Sequence, residues 1–374
     1  MYLVRLVQLD KSDKPNKRVA VNGWNEGLAI VKRQQKPDSR PILGITMGDP
    51  AGIGPEVIAK ALAGREVGRL CRPLVIGSLS VMDKTARSLR LPLRVVSVQG
   101  HDRPLGRRGE LPVLDPLERP VGRFRMGMVA ENTGKASVAF ITKAVHLAEL
   151  GCIHGIVTGP INKEAINLAG YQYPGHTELL ADLTHSKEAG MMILGGPLKI
   201  MFVTTHVSIR NLPDRLTPEL VGKAIRLADK ALHEYFGVVK PKIGVAALNP
   251  HAGEAGLFGD DERKTILPAT RRARAAGIQA SDPLPADTLF AKAVRGEYDG
   301  VVAMYHDQGL IPLKLAAFGK CVNLTVGLPI IRTSVDHGTA YDIAGKGAAD
   351  PGSLIEAIKL ASRLAVAKSK GKVR

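Results

Sequence analysis

Aromatic residues make up only 4% of this 374-residue chain, and a single tryptophan is present. No run of basic and aromatic residues interleaves as a stacking platform for nucleic acid would require. Cysteine is equally sparse: Cys71, Cys152 and Cys321 are scattered, with no CxxC pair. That excludes a cysteine-based metal module and a disulfide framework, and leaves reduced thiols in a cytoplasmic protein as the expectation. No stretch approaches the ~20 consecutive apolar residues of a membrane helix. The opening MYLVRLVQLDKSDK has neither a long apolar core nor a small-residue cleavage site, so no signal peptide is expected. Internal repeats, a GxGxxG fingerprint and a P-loop are absent as well.

What is plentiful is Gly (40), Pro (24) and positive charge, with a formal net charge of +17. Lys and Arg are spread along the chain rather than clustered, so a basic surface that draws in a phosphorylated small molecule fits better than a nucleic-acid-binding protein. Residues 1–40 are polar, basic and aperiodic and read as an N-terminal extension, with one short strand at Tyr2–Gln8. From Ile42 onward strands and helices alternate: a strand at Ile42–Thr46, a glycine-rich turn at Gly48–Pro55, a helix from Glu56, a strand at Leu74–Ser78 and a helix from about Val81. Residues 95–125 read as short strands and loops. Further helices fit Thr133–Glu149, Lys163–Ala169, Pro218–Phe236, Asp261–Ala276 and Pro351–Ala367, with a strand at Gly155–Pro160. The class is therefore α/β with a largely parallel sheet.

Three apolar runs end in histidine: Lys199–Thr205 before His206, Lys242–Pro250 before His251, and Gly300–Tyr305 before His306. Ligands of open α/β sheets gather outside the carboxyl ends of the strands, and three imidazoles delivered there could hold a metal with one position open. Any one of them alone reads as an ordinary structural histidine; three in one pattern point to a shared site. His101, His146, His154, His185 and His233 lack that context and read as structural or surface residues. Gly48–Pro55 either brings backbone N–H groups to a phosphate or is a tight strand-to-helix turn. Ser334–Pro351 either lets a nucleotide lie against its glycines or is a mobile surface loop. His176 and Thr177 open a helix, where an anion contact is plausible. Lys314, Asn323 and Arg332 suit binding of phosphate or carboxylate.

Taken together, TMGDPAGIGPE (46–56), VTGPINKEAINLAG (157–170), PGHTE (174–178), TTHVSIR (204–210), LNPHAGE (248–254), DPLPADTLF (282–290), AMYHDQGL (303–310) and NLTVGLPIIRTSVDHGTAYDIAGKG (323–347) resemble the 4-hydroxythreonine-4-phosphate dehydrogenase family of vitamin B6 biosynthesis. The resemblance implies a two-domain α/β/α fold like that of isocitrate and isopropylmalate dehydrogenases, with the active site in the interdomain cleft. It divides the chain into 41–165 plus 308–374, carrying the cofactor loop, and a central dimerising domain at 166–307. It also implies a homodimer whose metal site is shared between subunits, with His206, His251 and His306 as the ligands. By the same resemblance His176, Thr177, Lys314, Asn323 and Arg332 bind substrate, and Lys314 or Asp287 relays the proton. His337, Gly338 and Asp342 belong to the cofactor loop. NAD is the implied cofactor, NADP its alternative; zinc is the favoured ion, with magnesium, cobalt, manganese or nickel as alternatives. The implied reaction is oxidation of 4-hydroxy-L-threonine 4-phosphate to a β-keto acid, followed by decarboxylation. The alternatives are threonate or erythronate 4-phosphate, or a cis-dihydrodiol.

Overall fold

The computed structural model describes residues 38–99 and 109–371; the expected extension at 1–40, its strand at Tyr2–Gln8, and His101 lie outside the described residues or at their edge. Among the described residues, twelve strands build one sheet. In chain order they are β1 (Ile42–Thr46), β2 (Arg72–Ile76), β3 (Arg94–Ser97), β4 (Glu110–Leu114), β5 (Gly155–Thr158) and β6 (Gly190–Gly195), then β7 (Leu198–Phe202), β8 (Lys242–Ala246), β9 (Gln279–Leu284), β10 (Gly300–Ala303), β11 (Val322–Val326) and β12 (Arg332–Ser334). Their order across the sheet is β3-β4-β2-β1-β5-β12-β11-β6-β7-β10-β8-β9.

Both ends of the sheet are parallel, as the alternation of strands and helices demands. The middle is not: β11 runs antiparallel to both β12 and β6, and β6 antiparallel to β7. The sheet is thus largely parallel as expected, with an antiparallel stretch where the β6–β7 hairpin reverses the chain. β1 is buried along all of its length, as is usual for a strand covered by helices on both faces. Helix Pro218–Phe236 shows why its bounds are legible. Thr217 Oγ1 accepts from Leu220 N at 3.3 Å, Pro218 occupies the first turn, and Gly237 ends the helix in the left-handed region at φ 68°. The expected helix at Asp261–Ala276 is instead a π-helical turn at Glu262–Ile266 running into an α-helix at Leu267–Ala275. The divisions at 165/166 and 307/308 fall within helices Lys163–Leu168 and His306–Ala317. No helix among the described residues is long and apolar enough to cross a membrane.

Candidate active site

The three histidine-bearing runs end side by side. β7, β10 and β8 are consecutive and mutually parallel, and their carboxyl ends feed His206, His306 and His251. Hydrogen bonds tie the segments beyond the strands together: Val203 N donates to Ala303 O at 2.9 Å, and Thr204 Oγ1 donates to Met304 O at 2.7 Å. Gln308 bridges the next pair, accepting from Met304 N at 2.7 Å and donating to Ala247 O at 2.6 Å. Gly309 lets the helix that begins with His306 lie against β7; a Cβ there would stand 2.6 Å from the Phe202 ring. The result is two imidazoles, His206 and His306, with ring centroids 6.3 Å apart.

His251 does not join them. It starts a turn in which residues 251–255 all have positive φ, including Ala252 at 55°, Glu254 at 42° and Ala255 at 57°. Left-handed backbone costs roughly 1–2 kcal/mol per non-glycine residue, so the turn must be held from outside. Buried Glu262 does this, its Oε1 accepting from Leu248 N at 2.8 Å and Asn249 N at 2.7 Å. The turn leaves His251 exposed beside Phe258. Among the described residues, no three His, Cys, Asp or Glu side chains stand close enough to hold one ion.

A cavity of about 450 Å³ opens beside His206 and His306, and His176, Thr177, Asn323 and Arg332 line it with them. His337 and Gly338 form part of its wall. Asp287, Lys314 and Asp342 are exposed and outside it, as is His251. His154, which accepts from Ile42 N at 3.0 Å, and His233, 3.6 Å from Asp229, are likewise not part of it. Sequence reasoning assigned no role to Lys163, which also lines the cavity. The signal was available, since Lys163 opens a helix whose cap, Asn162 Oδ1, accepts from Ala165 N at 2.8 Å.

Arg332 is a buried charge at the cavity wall, its pKa pushed down to about 9 by burial against the opposing pull of Glu178. It is 1% exposed, on β12. Its guanidinium donates to Thr158 Oγ1 at 3.2 Å (Nε) and 2.6 Å (Nη2), and to Thr325 Oγ1 at 2.8 Å (Nη1). These partners are neutral hydroxyls, so the charge is buried without a bonded counter-ion, an arrangement that is costly unless a ligand anion completes it. The same charge acts on His176, whose pKa is held well below the usual imidazole range first by burial, then by Arg332 and Lys163. His176 is thus neutral and hydrogen-bonded to the backbone of Gly159, while its Nε2 is shielded from water without a partner. Asn323 Oδ1 is in the same condition. Burial, then Lys163 and His306, lower the His206 pKa too. His306 Nδ1 lies 2.6 Å from Asp307 Oδ1, which fixes its ring and leaves Nε2 as the outward nitrogen. A neutral imidazole and a carboxylate-oriented one both suit a divalent ion; by themselves they supply two ligands.

Gly48–Pro55 is not a phosphate cradle. The segment is buried throughout, and its N–H groups are spent internally: Asp49 N on Pro160 O at 2.9 Å, Gly52 N on Asp49 O at 3.0 Å, and Ile53 N on Thr339 O at 3.0 Å. Ser334–Pro351 is not a free surface loop either, because Val335, Thr339, Ala344 and Ala349 are buried.

The family model described as "Pyridoxal phosphate biosynthetic protein PdxA" matches residues 69–361. The 4-hydroxythreonine-4-phosphate dehydrogenase of Desulforapulum autotrophicum is 47% identical over 329 residues, covering 87% of this chain and 96% of that protein. The D-threonate 4-phosphate dehydrogenase of Cupriavidus necator is 44% identical over 333 residues, covering 89% and 99%. The crystal structure of 4-hydroxythreonine-4-phosphate dehydrogenase from Klebsiella pneumoniae superposes with a TM-score of 0.79 at 42% identity, covering 87% of this chain and 99% of that one. With the matched segment spanning most of the sheet and all of the cavity-lining residues named above, the chain belongs to the pyridoxal phosphate biosynthetic protein PdxA family.

Proposed function

We propose that the chain is a metal- and NAD-dependent dehydrogenase of a four-carbon hydroxy acid 4-phosphate, working as a homodimer in the cytoplasm. The observation that carries this reading is Arg332, a buried guanidinium bonded to threonine hydroxyls at the wall of a cavity that the His206 and His306 imidazoles also line. Such a group asks for an anion, and the substrates named for the relatives carry both a carboxylate and a phosphate. Arg332 binds one of these charges, with Thr177 and Lys163 lining the same cavity. His176, held neutral, accepts a hydrogen bond from a substrate hydroxyl or ammonium through Nε2, and Asn323 Oδ1 accepts another.

His206 and His306 would hold a divalent ion, with zinc the best match to neutral imidazoles. His251 of a second copy would complete the set. When bound, the ion supplies Lewis acidity at the alcohol, and the dinucleotide supplies the two-electron acceptor. Lys314 or Asp287, also delivered by the second copy, takes the alcohol's proton. Oxidation of the hydroxyl β to the carboxylate leaves a β-keto acid, which loses CO2 while the cationic cavity wall stabilises the enolate charge that develops. The dinucleotide lies along His337, Gly338 and Asp342. Support for the second copy comes from the surroundings of the outlying residues: Ile311 and Leu315 on the helix of Lys314 and Phe318 just past its end are 60%, 84% and 84% exposed, and Leu257 is 73% exposed near His251.

The test is a substrate panel. NADH formation is followed with 4-hydroxy-L-threonine, D-threonate and D-erythronate 4-phosphates and with a cis-dihydrodiol, each with and without added zinc, magnesium, cobalt, manganese or nickel. Turnover of a 4-phosphate, lost on chelation, is the expected result. Turnover of the dihydrodiol alone, or none with any substrate, would overturn the proposal.

A further inference from the structure

The glycine-rich segment after β1 and the loop after β12 are nearly 300 residues apart in the chain and interlock at three places. In the first, Ile53 N donates to Thr339 O, and Gly52 lies so close beneath Thr339 that a Cβ there would be 2.9 Å from Thr339 Cβ. In the second, Tyr341 Oη donates to Asp49 Oδ2 at 2.7 Å, while Asp49 Oδ1 accepts from Ala51 N at 2.8 Å. Asp49 is fully buried, and burial raises its pKa against the pull of these hydrogen bonds. In the third, Glu56 and Lys60, one helical turn apart, grip the far end of the loop. The Glu56 carboxylate accepts from Gly347 N at 3.2 Å and Ala349 N at 2.8 Å. The Lys60 ammonium donates to Gly347 O at 2.8 Å and Ala349 O at 2.7 Å, and pairs with Glu56 at 2.8 Å.

These are expensive groups to bury, and each is satisfied by the loop's own backbone or by Tyr341. What they hold in place is the stretch between β12 and the first grip. Asp336, His337 and Gly338 line the cavity there, and His337 Nε2 is shielded from water without a partner while Nδ1 lies 3.0 Å from Gly338 O. A loop carrying an unfilled hydrogen-bonding position at a cavity wall is useful only if it is ordered before the ligand arrives, because ordering it on binding would weaken affinity.

We infer that Asp49, Tyr341, Glu56 and Lys60 are positioning residues that hold 336–342 as a preformed wall for the dinucleotide, an inference that rests on the dinucleotide reading above. The glycine-rich segment acts through that loop and never touches the ligand. Tyr341→Phe removes one hydroxyl and keeps the ring; Glu56→Gln weakens the clamp at the opposite end and carries the test if the first variant fails to fold. Each is expected to weaken NAD binding, measured by calorimetry, by about tenfold, the loss of roughly one net hydrogen bond. KM for NAD rises in step. The KM for the acid phosphate and kcat at saturating NAD stay within twofold, and amide exchange quickens across 336–350. Faster exchange with unchanged NAD affinity would reduce the contacts to scaffold and overturn the inference, as would equal weakening of NAD and acid phosphate. If the wild-type protein binds no dinucleotide, the proposed reaction falls with it; if the wild type binds and both variants bind equally well, only the positioning role falls.

Discussion

Two sets of polar residues surround the histidines, and they are incomplete in different ways. Arg332, His176 and Asn323 face inward. Their own chain holds them through Thr158, Thr325 and Gly159, and what they lack is a ligand, since Nε2 of His176 and Oδ1 of Asn323 are shielded and unpartnered. His251, Asp287 and Lys314 face outward. They are exposed, outside the cavity, and among apolar side chains such as Phe258 and Leu315 that are 47% and 84% exposed. On the proposed reading, what this second set lacks is another protein surface. A buried unpaired charge and an exposed polar residue in an apolar setting are different signatures, and they call for different tests.

The largest expected effect separates the two sets by complementation. His251→Ala and His306→Ala should each remove bound metal and nearly all turnover from the pure protein. Refolded together in equal amounts, they should regain about a quarter of wild-type activity. Half of the dimers are then mixed, and in each mixed dimer one shared site receives both intact histidines. If His251 served its own chain instead, both sites of every mixed dimer would stay broken and no activity would return.

The inward set is broken next. Arg332→Met should lower kcat/KM for the acid phosphate by about a hundredfold, consistent with the ~1.5–3 kcal/mol of a charge-assisted hydrogen bond. Sulfate should raise the melting temperature of the wild type and leave that of the variant unmoved. Without sulfate the variant should melt no lower than the wild type, because a buried charge without a bonded counter-ion has been removed. Equal stabilisation of both proteins by sulfate would take Arg332 out of anion binding. For the outward set, Lys314→Met should lower kcat/KM for the phosphorylated substrate at least tenfold and leave KM for NAD unchanged. Equal changes in both would count against an anion contact at Lys314.

The strand-end pattern could be read from sequence because buried parallel strands are continuous apolar runs with an abrupt polar end. Ile42–Thr46 and Pro218–Phe236 match the structure residue for residue, since burial on both faces defines the first, and a threonine cap, a proline and a left-handed glycine define the second. Strands β6, β11 and β12 were not anticipated, because their pairing depends on chain reversals that leave no period. Arg332 could be named from the family resemblance, but its burial could not, because one partner lies 174 residues away and the other seven. The separation of His251 from the other two histidines was hidden for a related reason. Four non-glycine residues in a left-handed turn run against local propensity, and buried Glu262, eleven positions on, holds the segment leading into it.

The smallest expected effect concerns His176, the inward residue whose state depends on the others. Burial and the charges of Arg332 and Lys163 lower its pKa in the folded protein, whereas in the unfolded chain it returns to an ordinary imidazole value near 6.5. Below that value the unfolded state takes up a proton that the folded state refuses, so stability falls as pH falls. The slope approaches about 1.4 kcal/mol per pH unit until the folded value is reached. Above pH 6.5 the contribution is flat. Replacing His176 with Asn removes the titration and keeps a polar group of similar size. Between pH 7.5 and 5.5 the wild type should therefore lose about 1 kcal/mol more stability in urea unfolding than His176→Asn does. Saturating sulfate should shrink that difference, because an anion on Arg332 offsets part of the positive charge that keeps the imidazole neutral. If the two proteins lose stability in parallel, His176 is not held neutral by its surroundings, and the inward set is less tightly coupled than its geometry implies.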